Sequence, residues 1–415
     1  MKLINMKGVE SIYDARQIDR EAVSKVLFYA GYGIWLIWKL VSISMLSFAE
    51  GSSVNTMLHA LSLACLLGSA VMFRLFDSKT VLALALCAFG LIVKMNAGNI
   101  LFIDLAIVFY ASRCADYKGI ARFSLGLLGV GSIAIVMGSA IGIIPDYLFT
   151  RGETIRHGLG FLYSTNLSHL YLNIVLLFLF LRRDDVQFSE CLLLFSIDVL
   201  IYILTDSRNS CGLVAIALFC ACAFKISRNE KLDLALAWIA RCSFGLFTVL
   251  LLIAALAFNP EDEGWKALNR FTSNRIAQDH ASLIKYGVKP FGQEIEFSNR
   301  TIAMGETDKT EQEANPEGDP NIVESSFLNI LITKGYVSLL LVLLGFWIAM
   351  RNEADRWMNL IMLMISAHSA FDFQLTNLLY TTFLMWVWNR VALSFATSKA
   401  GARIDRFLVF AKIEG

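Results

Sequence analysis

Apolar residues are collected into long blocks that alternate with short polar connections along most of the chain. A membrane-crossing helix needs about 20 mainly apolar residues, because it must span roughly 30 Å of hydrocarbon. The blocks approach that length, so the pattern predicts an all-α, polytopic integral membrane protein with about 12 transmembrane helices. The blocks lie near residues 26–48, 54–73, 80–93, 100–112, 123–144, 164–181, 190–205, 211–226, 239–258, 327–350, 357–375 and 378–397.

The connections between these blocks differ in their content of lysine and arginine. One alternating set is rich in both residues, whereas the other set contains few of either. Because cytoplasmic connections carry the excess of positive charge, both termini are predicted to be cytoplasmic. The predicted order is a cytoplasmic segment (1–25), helices one to nine (26–258), an extracytoplasmic substrate loop (259–326), helices ten to twelve (327–397) and a cytoplasmic tail (398–415).

Composition agrees with a membrane location and argues against several kinds of site. Hydrophobic residues make up 56% of the chain and charged residues 17%. The formal net charge is only +1, so the overall charge does not indicate a surface that binds nucleic acid. The eight cysteines lie in or beside apolar blocks, and neither they nor the five histidines have metal-ligand spacing. The sequence therefore predicts no metal, no other cofactor and no nucleic-acid partner.

The loop 259–326 is the only long polar segment between two apolar blocks. Apolar residues recur with helical spacing from Trp265 to Tyr286, which predicts a helix lying in the membrane interface. The stretch 301–321 is rich in Glu, Asp, Thr and Pro without such a period, and it is predicted to be a mobile connector. The basic residues and histidines of the loop include Arg270, Arg275, His280, Lys285, Lys289 and Arg300.

Three arginines on the predicted outer face come from separate parts of the chain: Arg156, Arg208 and Arg275. A guanidinium group binds phosphate through two parallel hydrogen bonds and keeps its charge. Each residue also has an ordinary interpretation: Arg156 as an interfacial anchor, Arg208 as a partner of Asp206, and Arg275 as a solvated loop charge. Their convergence on one face favours a site for a lipid-borne pyrophosphate, whose charge must be stabilised as its bond to a sugar breaks.

His368 and Asp372 are four residues apart in the eleventh block, so a helix places them on one face near its predicted outer end. One hypothesis is that one of them takes the proton from an attacking sugar hydroxyl. The alternative is that the two side chains only hydrogen-bond each other, which lowers the cost of burial. Lys39, His59 and Asp104 also lie inside apolar blocks; Lys39 is interpreted as snorkelling or pairing, and no role is assigned to the other two.

Several segments, taken in order, resemble the Wzy-type bacterial surface-polysaccharide polymerases, a family related to the O-antigen ligases. Arg156–Phe161 is similar to the start of a family motif in which an arginine, a Gly-Phe pair and a His-Pro-Asn element open a span. Here Tyr163–Asn166 replaces the His-Pro-Asn element, and Thr205–Arg208 is similar to the family's Thr-x-Ser-Arg turn. The long loop looks like the family's substrate loop, with Arg275 at its arginine position, and comprises Leu268–Arg275, Tyr286–Gly287, Phe291–Gln293 and Glu324–Phe327, continuing to Gly335.

The resemblance implies a GT-C-like membrane glycosyltransferase that works without a metal at the outer face of the bacterial plasma membrane. It would join oligosaccharide repeat units, carried on undecaprenyl diphosphate as donor and acceptor, into a surface polysaccharide such as O-antigen, capsule or exopolysaccharide. A flippase and a chain-length regulator are the implied protein partners. The candidate catalytic residues are His368, Asp372, Arg208 and Arg275, and the candidate substrate-binding residues are Arg156, His157, Asn166, Arg270 and Arg300.

Two other functions are consistent with the same sequence. One is an O-antigen ligase, which transfers finished polymer to a terminal acceptor. The other is a flippase for lipid-linked oligosaccharides, since about 12 spans and charges within spans also occur in carriers. The single external insertion 259–326 and the low number of prolines (5) favour the enzyme over the transporter. Deletion of the gene separates polymerase from ligase, because only loss of a polymerase leaves single repeat units.

Overall fold

The computed structural model describes residues 3–46, 53–73, 77–151, 154–295 and 323–413, and these are almost entirely helical. The predicted all-α class is confirmed, apart from an antiparallel pair of short strands, β1 (Leu148–Arg151) and β2 (Thr154–His157). The helices are α1 (Leu3–Ser42), α2 (Ser53–Phe73), α3 (Ser78–Ala97), α4 (Leu101–Ala111), α5 (Tyr117–Ala140), α6 (Asn166–Arg182), α7 (Phe188–Thr205), α8 (Arg208–Ile226), α9 (Glu230–Ala257), α10 (Glu263–Phe271), α11 (Arg275–Tyr286), α12 (Ser326–Asn329), α13 (Tyr336–Met350), α14 (Arg356–Phe371), α15 (Leu384–Ala396) and α16 (Lys399–Ile413).

Six helices of the described chain are long and apolar enough to cross a membrane: α2, α3, α5, α7, α8 and α9. Their outward faces carry large apolar side chains, such as Leu192, Leu193 and Ile203 on α7, which are each more than 60% exposed. An apolar surface of this kind suits lipid rather than water. The helices therefore indicate a membrane-embedded protein, whereas the number of twelve spans and the GT-C-like arrangement stay predictions.

Polar caps determine where several of these helices begin. Asp77 accepts a hydrogen bond from the Thr80 amide, and the Thr80 hydroxyl in turn accepts from the Asp77 amide, which closes a capping box at the start of α3. Asn229 and Asp355 accept from the first amides of α9 and α14 in the same way. Because these amides have no partner within the helix, each cap fixes the residue at which an apolar block becomes helical.

Two short helices, α6 and α14, form the buried centre of the bundle. Almost every residue of both is buried, and α14 packs against α9, α8 and α6. The surrounding helices instead bury only one face, as α7 does with Cys191, Asp198, Ile201 and Thr205. Polar side chains on α6 and α14 are therefore enclosed by protein, so they need partners from neighbouring elements.

The predicted span 327–350 is not one continuous helix. It consists of α12, a π-helical turn (Ile330–Lys334), Gly335 with a positive φ of 90°, and α13. The loop backbone closes this break: the Tyr336 amide donates to the Lys289 carbonyl (3.1 Å) and the Gln293 amide donates to the Thr333 carbonyl (3.2 Å). The interruption is stable because its backbone groups are satisfied by the segment 289–293.

The prediction of a single interfacial helix over Trp265–Tyr286 is wrong. The structure divides it into α10 and α11, since Ser273 and Asn274 adopt left-handed backbone angles (φ 57° and 65°) between them. The Asn269 side chain accepts a hydrogen bond from the Ala277 amide (3.0 Å) and holds the start of α11. The predicted connector 301–321 lies outside the described residues.

The predicted spans 357–375 and 378–397 are also shorter than expected. α14 ends at Phe371 and α15 begins at Leu384, and the irregular segment 372–383 between them is largely buried. Its backbone groups bond one another and α6, where the Asn173 side chain donates through Nδ2 to the Leu379 carbonyl (3.0 Å). Irregular backbone at membrane depth is tolerated only when protein or a water-filled cavity surrounds it.

Replacing Gly335 by alanine tests the role of the interrupted helix. A Cβ atom at Gly335 would collide with the Pro290 carbonyl oxygen and would also strain the positive φ. We expect Gly335→Ala to lower the free energy of unfolding by about 1–3 kcal/mol, measured as a lower thermal midpoint of the purified protein. Gly345→Ala in α13 is the matched control, because nothing lies within 4 Å of its added Cβ. Equal midpoints for the two variants would contradict this account.

Candidate functional site

α6 and α14 bring three ionisable side chains together at one end of the bundle. His169 lies in the first turn of α6, His368 in the last turn of α14, and Asp372 directly follows α14. The two Asp372 carboxylate oxygens lie 3.3 Å from His169 Nε2 and 3.4 Å from His368 Nε2. His368 Nε2 also lies 3.0 Å from His169 Nδ1. All three residues are buried, so they form one enclosed group, here called the Asp372 cluster.

Neighbouring polar groups hold this cluster in place. The Ser210 hydroxyl lies 2.7 Å from His169 Nδ1, and the Asn209 side chain donates through Nδ2 to the Asp372 carboxylate (2.7 Å). Both residues belong to the first turn of α8. The Ser326 hydroxyl donates to the Asp372 carbonyl and accepts from the Leu375 amide (3.0 Å), which fixes the turn after α14. The cluster is therefore assembled from α6, α8, α12 and α14.

The arrangement is suited to proton transfer, and the spacing of its donor atoms is also compatible with a metal ion. A carboxylate that accepts a hydrogen bond from an imidazole orients the ring and stabilises its protonated form. Histidines that act as general bases commonly have such a carboxylate partner. His169, His368 and Asp372 each offer one ligand atom, and these atoms lie within 4.8 Å of one another. Two histidines and a carboxylate are a donor set that divalent metals accept. Spacing along the sequence does not reveal this group, because His169 and His368 are 199 residues apart.

The turn between α7 and α8 connects Arg156 and Arg208 to the cluster. The buried Arg156 Nε donates to the Thr205 carbonyl (2.8 Å), so Arg156 ties strand β2 to this turn. The Ser168 hydroxyl donates to Ser207 in the same turn (2.6 Å). The Arg208 side chain is 67% exposed and pairs with Asp206 through Nε (3.2 Å), which is the pairing that its ordinary interpretation predicts.

Arg275 approaches the cluster from the long loop. It begins α11, pairs with Glu324, and its guanidinium carbon lies 6.0 Å from the centre of the Phe371 ring. Phe371 is the residue before Asp372. Arg275 and the Asp372 cluster therefore lie at the same end of the bundle.

The remaining predicted substrate-binding residues occupy different surroundings. His157 Nδ1 lies 2.6 Å from the Asp146 carboxylate beside the strand pair. The Asn166 side chain is buried; its amide donates to the Ile43 carbonyl (3.4 Å) and its oxygen accepts from the Tyr380 hydroxyl (3.2 Å). Arg270 is exposed on α10, and Arg300 lies outside the described residues. Their roles in substrate binding stay predictions.

His169 is the principal residue that the sequence interpretation missed. It lies inside the apolar block 164–181, where an ionisable side chain is itself a functional signal. Asn166 and Asn173 precede and follow it by one helical turn, so α6 carries a polar stripe within an apolar helix. Attention to charged and imidazole groups inside apolar blocks would have identified it, as it identified His368.

A buried acid, Asp279, lies next to the Arg275–Glu324 pair on α11. The pKa of the Asp279 carboxyl is raised to about 8, mainly by burial and to a smaller extent by the Glu324 charge, while the Arg275 charge opposes the shift. Among the described residues, its Oδ1 atom has no hydrogen-bond partner. The buried acid is therefore mainly protonated at neutral pH, which avoids a second negative charge beside the Arg275–Glu324 pair.

Comparison of the chain with protein-family models, with curated proteins and with solved structures gave no match. The resemblance to surface-polysaccharide polymerases therefore depends on the short sequence segments quoted above and on their order along the chain.

Replacing Asp279 by asparagine should change the pH dependence of stability. Folding raises the pKa of this carboxyl from 3.8 to about 8, so between these values the unfolded state binds fewer protons. The contribution of Asp279 to the free energy of unfolding is therefore fully present below pH 3.8. It decreases as the pH rises through this window and changes no further above about pH 8. We expect Asp279→Asn to flatten the curve of thermal midpoint against pH.

Glu261→Gln serves as the control for this measurement, because Glu261 is an exposed acid of the same loop. Identical pH curves for Asp279→Asn and the unmodified protein would show that Asp279 is not held protonated by burial.

Proposed function

We propose that this protein polymerises oligosaccharide repeat units carried on undecaprenyl diphosphate, at the outer face of the bacterial plasma membrane. The product would be a surface polysaccharide. In this proposal the Asp372 cluster activates the acceptor hydroxyl, and arginines at the same end of the bundle hold the diphosphate of the donor.

One observation carries the proposal: segments that resemble the polymerase family are far apart in sequence and meet around Asp372. The Asn209 side chain, beside Arg208, donates to Asp372, and Arg156 donates to Thr205 where the chain turns from α7 into α8. Arg275 lies against Phe371, and Ser326, from the end of the loop, bonds the Asp372 backbone. A fold that used these segments only for packing would not require all of them at one buried acid.

The proposed reaction is a displacement at the anomeric carbon of the donor sugar. A hydroxyl oxygen of the acceptor unit forms the new bond to that carbon, while the bond from carbon to the diphosphate oxygen breaks. The leaving diphosphate takes the bonding electrons, and Arg208 and Arg275 stabilise its added charge. The hydroxyl proton passes to His368 or His169, and Asp372 stabilises the resulting imidazolium. Buried Arg156 positions the turn that carries Arg208.

Substitution of the histidines tests the proposed chemistry in cells that make the polysaccharide. His368→Asn and His169→Asn keep a hydrogen-bonding side chain but remove the base, so we expect the rate of elongation to fall by about 10²–10⁴-fold. Gel sizing of the surface polysaccharide should then show single repeat units in place of long chains. Immunoblotting of the tagged protein checks that both variants reach the membrane at normal levels.

His280→Asn is the matched control, because His280 lies on α11 and its ring contacts the Ala255 carbonyl rather than the Asp372 cluster. Normal chain lengths in both cluster variants would remove the histidines from the reaction. Full-length polymer retained on the lipid carrier would instead identify a ligase.

Chelation distinguishes a proton-transfer cluster from a metal site built from the same residues. If His169, His368 and Asp372 transfer a proton directly, EDTA should leave the initial rate of elongation unchanged in vesicles containing the purified protein. Loss of activity that added Zn²⁺ or Mn²⁺ restores would show that the cluster binds a metal, and would contradict the role proposed here for the free imidazoles.

A further inference from the structure

A cavity of about 260 Å³ lies between the first turn of α3, the end of α4, the start of α5 and the helix α15. Its polar lining comes from Lys79, Arg113, Asp116 and Asn389, and Trp388 is one of its aromatic walls. Pockets that enclose a whole small molecule usually exceed about 300 Å³, so this cavity suits a compact polar group. We call it the Lys79 cavity.

The Lys79 cavity lies toward the opposite end of the bundle from the Asp372 cluster. Tyr117 lines the cavity, and its ring packs against the ring of Phe180, near the end of α6, at 5.1 Å. His169 lies in the first turn of the same helix, eleven residues earlier, which corresponds to about 16 Å along the helix axis. The distribution of lysine and arginine predicts that the end with the cavity is cytoplasmic.

The cavity presents one charge of each sign to a ligand. Arg113 Nη1 lies 3.1 Å from the Asp77 carboxylate, so the charge of Arg113 is already balanced. Lys79 has no ion pair within the described part of the chain, and Asp116 is exposed while it accepts from the Gly119 amide (2.9 Å). A simple anion would be attracted by Lys79 and repelled by Asp116. A group that carries a negative and a positive charge side by side interacts favourably with both.

A second cavity, of about 190 Å³, adjoins the Lys79 cavity and is lined almost entirely by apolar side chains. It lies between α2, α3 and α4, and Leu67 and Leu84 form part of its wall. Tyr110 lines both cavities. Because α3 runs from Lys79 to Leu84 and Cys87, the apolar cavity extends from the charged one into the depth of the predicted membrane. A ligand that fills both has a compact charged head and an apolar chain.

We propose that the two cavities together bind one zwitterionic phospholipid of the phosphatidylethanolamine type. The phosphate contacts Lys79 and the Asn389 side chain, and the ammonium contacts Asp116 and the Trp388 ring. One acyl chain lies in the apolar cavity. Polar pockets between membrane helices recognise lipid headgroups in this way. The bound lipid connects α3, α5 and α15, so it stabilises the folded protein.

Native mass spectrometry of the purified, delipidated protein tests this site with added phosphatidylethanolamine or phosphatidylglycerol. We expect the first phosphatidylethanolamine to bind about tenfold more tightly than the first phosphatidylglycerol, because phosphatidylglycerol has no ammonium to donate to Asp116. Equal affinities, or tighter binding of phosphatidylglycerol, would overturn the proposal, since the cavity would then accept any phospholipid or only an anion. This comparison uses the unmodified protein, so it does not require any variant to fold.

Two substitutions separate the two charges of the site. Lys79→Gln should weaken the binding of both lipids by about tenfold, because each has a phosphate. Asp116→Asn should weaken only phosphatidylethanolamine and so abolish the preference, and asparagine is still able to cap α5. Lys118→Gln is the matched control, because Lys118 is exposed on α5 and does not line the cavity.

Unchanged binding of phosphatidylethanolamine in both Lys79→Gln and Asp116→Asn would also overturn the proposal. A loss of equal size in Lys118→Gln would do the same, because the effect would then come from the general charge of this surface. The result is independent of the proposed function, since binding is measured without any lipid-linked sugar.

Discussion

A carboxylate inside an apolar helical bundle requires hydrogen-bonding partners, and Asp372 is such a carboxylate. Removing a charge from water costs several kcal/mol unless nearby groups compensate for the loss. In this protein the compensation comes from His169, His368 and Asn209, which are on three different helices. The relative positions of α6, α8 and α14 therefore depend on one acid. Loss of any partner leaves a buried polar group unsatisfied and affects both the fold and the proposed chemistry.

The same constraint explains why the backbone is irregular near this acid. Helix α14 ends at Phe371, and Ser326 satisfies the Asp372 carbonyl and the Leu375 amide that follow. The break at Gly335 is closed by backbone from the loop. Irregular segments at membrane depth are found where they line sites, because a continuous helix exposes no backbone groups to a ligand. Both interruptions lie in the part of the chain that contacts the long loop.

Apolar periodicity was sufficient to predict helices and an all-α class, because burial in lipid or protein imposes a local pattern on each segment. The i, i+4 spacing was also sufficient to pair His368 with Asp372, since helix geometry alone sets that distance. Contacts between distant segments could not be read in this way. His169 meets His368 across 199 residues, and the hydrogen bonds of Ser210 and Asn209 depend on how α8 packs. The break between α10 and α11 arises from two left-handed residues, neither of them glycine, and polar Ser and Asn residues give only a weak signal for it.

The most direct measurement is the product formed by the purified protein alone. It would be reconstituted into vesicles with a fluorescent repeat unit linked to undecaprenyl diphosphate, and the products would be separated by size. The account predicts a ladder of lipid-linked chains that differ by whole repeat units, with one undecaprenyl diphosphate released for each linkage formed. Lipid-linked units that cross the membrane without lengthening, or that remain unchanged, would contradict it.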